Sequence, residues 1–306
     1  MNNRRLVTAS LHTDIGQIRD HNEDFFIFQE PANDTEASRN GWLYIVADGV
    51  GGADAGEVAS QFASEQTLAH YLQNDAQGNP GQRLVDAMQA ANSDLRRMVA
   101  ERNNNSRMAT TMVGVVITGG KAFIANVGDS RCYLWRKGSL EQVTKDQSLV
   151  AKLLEEGAIT PEEAENHPRR NVILYSLGSE RVPKIDLYER FLEPDDRLLL
   201  CSDGLTRHVT DQELALYLAD DALDEVTQSL VNLANNRGGQ DNITAVVLHF
   251  HGDGVQKSAG PQSDNGTETA VTPRPQPAQK SLWGFTILLT LIQTCLIIFL
   301  WALLFA

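Results

Sequence analysis

The sequence predicts a layered α+β fold, with antiparallel strands covered by long helices. Three features of its 306 residues lead there. Apolar residues make up 42% and charged residues 22%, a balance that supports a large core and argues against wholesale disorder. Short apolar runs recur with tight-turn residues between them: Gly119-Gly120 separates Thr111–Thr118 from Lys121–Asn126, and Lys137-Gly138-Ser139 follows Arg131–Arg136. Strands joined by so few residues run antiparallel. A helical period appears as well, because Leu84, Met88, Ala91, Leu95 and Met98 are spaced four, three, four and three.

In chain order, Met1-Asn2-Asn3-Arg4-Arg5 and the polar run Leu6–His12 are too short and too hydrophilic for a signal peptide. Trp42–Ala47 reads as a strand, Gly56–Leu72 as a helix, and the apolar stripe places a second helix over Gln82–Arg102. The two turn-linked strands and Arg131–Arg136 follow, then strands at Leu187–Leu192 and Arg197–Cys201. A helix over Leu223–Asn236 is stopped by Gly238-Gly239, and Ile243–Phe250 is the last strand. Residues 1–250 are therefore the working domain. His251 to Ser281 is rich in Gly, Ser, Thr, Pro and Gln and reads as a flexible linker, residues 251–281. Leu282 to Ala306 carries no charge; as a helix it would extend roughly 37 Å, enough to cross a bilayer, with Trp283 and Trp301 near its ends. Residues 282–306 are expected to be a transmembrane tail anchor.

Forty acidic residues against 26 basic ones give a net charge of −14, which repels phosphate backbones and disfavours nucleic acid as a partner. Three cysteines, without C-x-x-C or zinc spacing, rule out a disulfide framework and fit a reducing cytoplasm. No G-x-x-x-x-G-K-[ST] loop or G-x-S-x-G elbow is present, and no histidines pair at metal-ligand spacing.

Several acids share one local context, the end of an apolar strand next to Gly or Asn: Asp48-Gly49, Asp129-Ser130, Asp203-Gly204 and Asp241-Asn242. Taken singly, each is ordinary turn chemistry. Together with Asn22-Glu23-Asp24 they form a hard-oxygen set that suits Mg²⁺ or Mn²⁺ better than zinc.

The ordered series Arg19-x-x-Asn22-Glu23-Asp24, Asp48-Gly49-Val50-Gly51-Gly52, Ala109-Thr110-Thr111, Gly128-Asp129-Ser130-Arg131, Ser202-Asp203-Gly204 and Gln240-Asp241-Asn242 resembles the metal-dependent protein phosphatases (PPM, type 2C Ser/Thr phosphatases), in their bacterial form. The resemblance spans about residues 6 to 250. It implies an αββα four-layer sandwich of two antiparallel sheets flanked by helices, with Mn²⁺ or Mg²⁺ in a cleft at one end. By that resemblance Asp48 bridges two metals beside the Gly49 carbonyl, and Asp203 and Asp241 are ligands of the first. Glu23 and Asp24 serve the second, Asp129 with Asp203 holds a third and weaker one, and Arg19 grips the phosphate. The implied reaction is hydrolysis of phosphoserine and phosphothreonine by a metal-bridging hydroxide. The implied partners are phosphorylated proteins, the substrates of a Hanks-type Ser/Thr kinase and the kinase itself.

Three departures bear on substrate and proton transfer. Val50 stands where animal-type members carry a histidine proposed as general acid. Asp146-Gln147-Ser148 replaces a common Asp-His-Ser, and Val172–Gly178 departs from Thr-Arg-x-Leu-Gly. Leu153–Arg170 resembles the family's flap, and reads equally as a plain helical connection. A catalytically silent phosphoprotein-binding regulator of the same fold is the rival reading; it would be expected to lose a bridging acid, whereas Asp48, Asp203 and Asp241 are all present. A small-molecule phosphate ester stays open as substrate. The expected location is the cytoplasmic membrane, single-pass and tail-anchored, with the catalytic domain in the cytoplasm.

Overall fold

Alternation along each strand sorts its side chains onto two faces, and here both faces of the central strands are apolar. Such strands need cover on both sides, and the computed structural model supplies it. It describes residues 6–51, 55–73, 78–102, 108–220 and 222–252. The chain divides into units Met1–Val255 and Gln256–Ala306, and every described residue belongs to the first. The expected transmembrane tail and nearly all of the expected linker lie outside the described residues. Among the described residues, no helix is long and apolar enough to cross a membrane.

The elements are β1 (Val7–Asp14), β2 (Asp24–Gln29), α1 (Asp34–Asn40), β3 (Trp42–Val50), α2 (Ala55–Gln73), α3 (Pro80–Glu101), β4 (Ala109–Thr110), β5 (Met112–Thr118), β6 (Lys121–Val127), β7 (Arg131–Arg136) and β8 (Ser139–Gln142). They continue with α4 (Leu149–Glu155), α5 (Pro161–Glu165), β9 (Asp186–Phe191), β10 (Asp196–Cys201), α6 (Asp203–Thr206), α7 (Asp211–Tyr217), α8 (Leu223–Asn236) and β11 (Ile243–Phe250). One sheet runs β1-β11-β10-β7-β8 and the other β2-β3-β5-β6-β9, with β4 paired to β3; every pairing is antiparallel.

Three cores follow from the alternation. Leu43, Ile45 and Ala47 of β3 join Met112 and Val116 of β5 against Ala59 and Ala63 of α2 and Leu84, Met88 and Leu95 of α3. The intervening Tyr44 and Val46, with Val113, Val115 and Ile117, meet Leu198, Leu200, Val246 and Leu248 between the two sheets. On the far side, Leu199, Cys201, Ala245 and Val247 pack against Leu205, Leu214, Leu230 and Ala234. Two antiparallel sheets flanked by helices is thus the architecture. The stripe Leu84, Met88, Ala91 and Leu95 is fully buried. Burial of each leucine there is worth about 1.5–3 kcal/mol.

Local signals fix the boundaries. Asn79 caps α3 by accepting from Gly81 N and Gln82 N, and Pro80 occupies the first turn, where no amide donor is missed. Gly119 and Gly120 both have positive φ, 56° and 71°, the paired left-handed geometry that a two-residue hairpin requires. Four strands were not anticipated: β1, β2, the two-residue β4 and the short β8. β1 (VTASLHTD) is polar and mostly half-buried at a sheet edge, and β2 begins at Asp24, inside the acidic motif itself. The segment expected to be a flap or a plain connection folds as α4 and α5, each with a side-chain cap; Thr160 and Glu163 form a reciprocal capping box on α5.

Candidate metal centre

The strand ends named from sequence meet at one end of the sandwich. Asp48 and Gly49 close β3, Asp24 opens β2, Asp129 lies just past β6, Asp203 just past β10, and Asp241 just before β11. Antiparallel pairing sets Asp24 directly opposite Asp48.

Backbone and side-chain hydrogen bonds hold these ends in place. Thr111 N and Thr110 Oγ1 donate to the Asp48 carbonyl at 2.9 and 2.8 Å, and Asp48 N donates to Thr111 Oγ1 at 3.2 Å. Thr111 Oγ1 shares a 2.7 Å bond with Ser130 Oγ, next to Asp129. The Ala109-Thr110-Thr111 motif therefore clamps one acid-bearing strand end and ties it to another. Gln147 Oε1 accepts from Gly128 N and the Gln147 backbone N donates to the Gly128 carbonyl, both at 2.9 Å. Arg131 grips Asp146 through Nε and Nη2 at 2.8 and 2.7 Å. Asn242 accepts from Glu23 N at 2.8 Å and donates to the carbonyls of Ile15 and His21, both at 2.9 Å, so the loop carrying Arg19 and Glu23 is stitched to β11. Gly204 cannot be anything larger, since a Cβ there would lie 2.0 Å from the Asn242 carbonyl. That contact brings the Asp203 and Asp241 turns together.

Asp24 joins the two sheets. It is buried, and its Oδ2 accepts from Ser202 Oγ at 2.6 Å and Thr244 Oγ1 at 2.7 Å, both on the opposite sheet's side of the site. Ser202 was named from sequence only as part of its motif and Thr244 not at all, because their role depends on a contact across the sandwich. Glu23 packs against Gly56 at the start of α2, and Gly49 N donates to the Glu23 carbonyl at 3.0 Å. The Gly49 carbonyl faces Gly56 as well.

Concentrating these acids is electrostatically costly. Burial, then the fields of Asp24, Asp203, Asp129 and Asp241, push Asp48 well above the usual carboxylate range. Burial pushes Asp24 up to about 7 against its two hydroxyl hydrogen bonds, with Asp203 and Asp241 adding to the rise. Burial, then Asp203 and Asp146, pushes Asp129 up to about 7. Asp203 and Glu23 are raised too, chiefly by burial, with Arg207 and Arg19 respectively opposing.

Two arginines stand among the acids. Arg19, 44% exposed, places Nη2 2.8 Å from Asp241 Oδ1 and Nη1 3.7 Å from Glu23. Arg207, at the end of α6, bonds Asp203 Oδ2 through Nη2 and Asp241 Oδ2 at 3.2 Å through Nη1. Arg207 was not singled out from sequence, though a cation four residues after an acid on one helical turn is a recognisable pair. Among the described residues, no three acid side chains close on one point as around a bound cation. The donor set nonetheless fits divalent metal. Asp24 Oδ1, Asp129 Oδ1 and Asp203 Oδ1 are buried with no hydrogen-bond partner, and all are hard oxygens.

Other chemistries find no support here. Cys132 and Cys201 are buried in the cores; burial pushes both thiols up, Cys201 to about 12, so neither is a nucleophile. Burial, then the charges of Arg207 and Arg237, push His208 below the ordinary imidazole range, and its Nε2 accepts from Gln240 N at 3.3 Å. Val50 is exposed at the end of β3 and has no proton to give. A separate cavity of about 950 Å³ lies beside the centre, between α4 and β9. Lys145, Lys152 and Lys184 line it, together with Glu155 and Tyr188.

Residues 22–247 match the family model described as protein phosphatase 2C. The chain is 36% identical over 245 residues to the serine/threonine phosphatase stp of Listeria welshimeri, covering 78% of this chain and 94% of that protein. It resembles the crystal structure of the Mycobacterium tuberculosis serine/threonine phosphatase PstP/Ppp with a TM-score of 0.71 at 36% identity, over 80% of this chain and 99% of that one. It also resembles the catalytic domain of PstP in complex with two manganese ions, with a TM-score of 0.67 at 35% identity over 79% and 97% of the two chains.

Proposed function

Given that the chain belongs to the protein phosphatase 2C family and is a serine/threonine protein phosphatase dependent on Mn²⁺ or Mg²⁺, we propose that Asp48, Asp203 and Asp241 hold its catalytic cations. In this reading Asp48 would serve both cations with the Gly49 carbonyl beside it, Glu23 and Asp24 would serve the second, and Asp129 with Asp203 would hold a weaker third. The observation that carries the assignment is the set of orphaned buried oxygens on Asp24, Asp129 and Asp203, on acids whose mutual repulsion calls for positive charge. When bound, a pair of divalent cations supplies the Lewis acidity that activates water and offsets charge on the phosphoryl group.

The protein's own groups do the rest. Arg19 is exposed enough to leave Asp241 for a phosphate, which accepts two charge-assisted bonds from a planar guanidinium. Its charge then offsets the negative charge that spreads over the phosphoryl oxygens in the transition state. The Thr110–Thr111 clamp and Asn242 keep the strand ends from drifting as ligands bind, the kind of fixed geometry that electrostatic catalysis needs. The substrates are phosphorylated proteins. We infer that they include targets of a Hanks-type kinase and the kinase itself. The test is phosphate release from phosphothreonine peptides beside free phosphate esters, with Mn²⁺ and with chelator. Metal-dependent release from the peptides is expected; equal turnover under chelation would refute the assignment.

We further propose that residues 282–306 span the cytoplasmic membrane, with the catalytic domain on its inner face. The support is the uncharged apolar composition, the flanking Trp283 and Trp301, and Arg274 and Lys280 just before the span. A linker over 251–281 has a root-mean-square reach of roughly 30 Å, which keeps the site near membrane-bound substrates and raises their effective concentration. Deleting residues 282–306 should move the protein to the soluble fraction, leave free-peptide turnover unchanged and slow that of membrane-bound phosphoproteins. Full-length protein in the soluble fraction would overturn the anchor.

A further inference from the structure

A strand at the end of a sheet keeps one edge of its backbone unpaired. Among the described residues β9 pairs with β6 alone, so every second N–H and C=O of β9 faces away from the sheet. The cavity of about 950 Å³ between α4 and β9 runs along that edge. Leu187 lies against Gly81 on the helix side of the sheet, and Tyr188 packs into the core between the sheets, yet both line the cavity. It therefore opens onto the edge of the strand and not onto one of its faces. At its inner end it meets the metal centre. Gln147, in its wall, donates Nε2 to Asp186 Oδ2 at 2.8 Å and accepts from Gly128 N at 2.9 Å, one residue before Asp129.

The lining suits a peptide. Leu154 of α4 and Leu187 of β9 are large apolar side chains left exposed, and they stand on opposite walls. Residues 1–250 contain five lysines, and Lys145, Lys152 and Lys184 all line this groove, in a chain of net charge −14. Lys145 is 3.2 Å from Glu155 and Lys152 3.9 Å from Glu156, with all four side chains more than half exposed. Such pairs are weak, so an incoming carboxylate takes over the ammonium while the glutamate turns to water. Lys184 lies 3.1 Å from Asp186, an acid already bonded by Gln147, and an ammonium has three donors to share. Asp146, the remaining acid of the wall, is taken by Arg131.

We propose that this groove docks an extended, acidic segment of the phosphoprotein substrate next to its phosphorylated residue, added as a further strand on the open edge of β9 with its carboxylates on the three lysines. The proposal rests on the reading of the neighbouring acids as the catalytic metal centre. Main-chain hydrogen bonds to an edge hold any extended peptide, and the side chains beside the edge choose among them. A small phosphate ester reaches the centre without touching the groove, so the preference belongs to peptides alone.

The full chain, in detergent with Mn²⁺, is assayed on phosphothreonine peptides that differ only in a short flank of Glu, Gln or Lys. The flank precedes the phosphoresidue in one series and follows it in the other, and p-nitrophenyl phosphate is the control that bypasses the groove. In one series the Glu flank should lower KM about tenfold against Gln, the size expected of two or three exposed ion pairs, and the Lys flank should raise it. The double variant Lys145→Glu/Lys152→Glu changes only exposed side chains. It should lose that preference and keep turnover of p-nitrophenyl phosphate within a factor of about two. N-methylation of the Glu flank, one amide at a time, should raise KM at alternate positions, the signature of a strand paired along one edge. Equal KM for the three flanks in both series overturns the proposal and leaves the metal centre standing. So does a Glu preference that survives in the folded double variant, or N-methylation that is harmless at every position. Absence of Mn²⁺-dependent release from p-nitrophenyl phosphate and from every peptide overturns the metal-centre reading and this proposal together.

Discussion

Strand β10 carries a buried aspartate at its start and a mostly buried one just past its end, and the two are handled in opposite ways. Asp196, 1% exposed, accepts from Arg136 Nε at 2.8 Å and Nη2 at 2.6 Å, and from Glu193 N at 2.7 Å. Both of its carboxylate oxygens are bonded. Asp203, seven residues on, is surrounded by Asp24, Asp48, Asp129 and Asp241, with Arg19 and Arg207 as the arginines bonded to the cluster. A buried pair that is complete stabilises one geometry; a surplus of buried like charge destabilises the chain until something cationic binds. The first end is built to hold the fold, and the second carries repulsion that its two arginines offset only in part, which suits it to take up cations.

The largest effect that tests this contrast is on catalysis. Asp203→Asn or Asp48→Asn should lower kcat by several orders of magnitude, because each removes charge from the centre that activates water. Asp196→Asn should leave kcat within a factor of about two, since nothing it touches belongs to the centre. Steady-state kinetics on one phosphothreonine peptide, with metal content measured alongside, check both. Near-wild-type turnover by Asp203→Asn with its metal in place would erase the distinction between the two ends.

How much of this was legible in the sequence depends on range. Strands such as β5, β6 and β11 show themselves because alternation and turns are local, and α3 because its stripe repeats over 22 residues. β1 was hidden by its own polarity: Thr8, Ser10, His12 and Thr13 offer no apolar run, and pairing with β11 along its whole length makes it a strand. The acids could be named because residue type and position at a strand end are both local facts. Their holders could not. Ser202 and Thr244 bond Asp24 from 178 and 220 residues away, and only closure of the sandwich brings them within 3 Å. Arg207 was passed over for a different reason, because an arginine after Ser-Asp-Gly-Leu-Thr looks like solvated surface until Asp241 is placed beside it.

A smaller effect lies in how stability depends on pH. In the metal-free chain Asp24 and Asp129 are pushed up to about 7, against ordinary values near 4. The folded state then holds protons that the unfolded state releases between about pH 4 and pH 7. Stability contributed by these groups is therefore full below pH 4, falls as pH rises and levels off above 7, a loss of order a few kcal/mol in total. Chelated protein should melt at a lower temperature at pH 8 than at pH 5. Added Mn²⁺ should raise the melting temperature more at pH 8, since a ligand that binds only the folded state stabilises by mass action. A chelated protein that gains stability from pH 5 to pH 8 would show that the acids are not crowded in solution as they are here.

The smallest effect is also the sharpest, because one substitution is made at both ends of the same strand. Asp196→Asn keeps the side-chain shape but removes the charge that Arg136 is paired with. Arg136 is 31% exposed and also contacts Glu193 and the Phe191 carbonyl, so water and its other partners recover part of the loss. A cost of about 1–2 kcal/mol is expected, toward the low end for a hydrogen bond between charged groups. Asp203→Asn removes one of the mutually repelling acids while keeping an oxygen for Arg207, so the chelated protein should become more stable at pH 8, by about 1 kcal/mol or less once the weakened Arg207 bond is set against the relieved repulsion. Urea denaturation of the two variants under chelation gives both values. Opposite signs are required, since a completed pair loses by the change and a crowded cluster gains. Destabilisation by both would mean that Arg207 and Arg19 already balance the acids, and that the centre is as fully paired as the other end of β10.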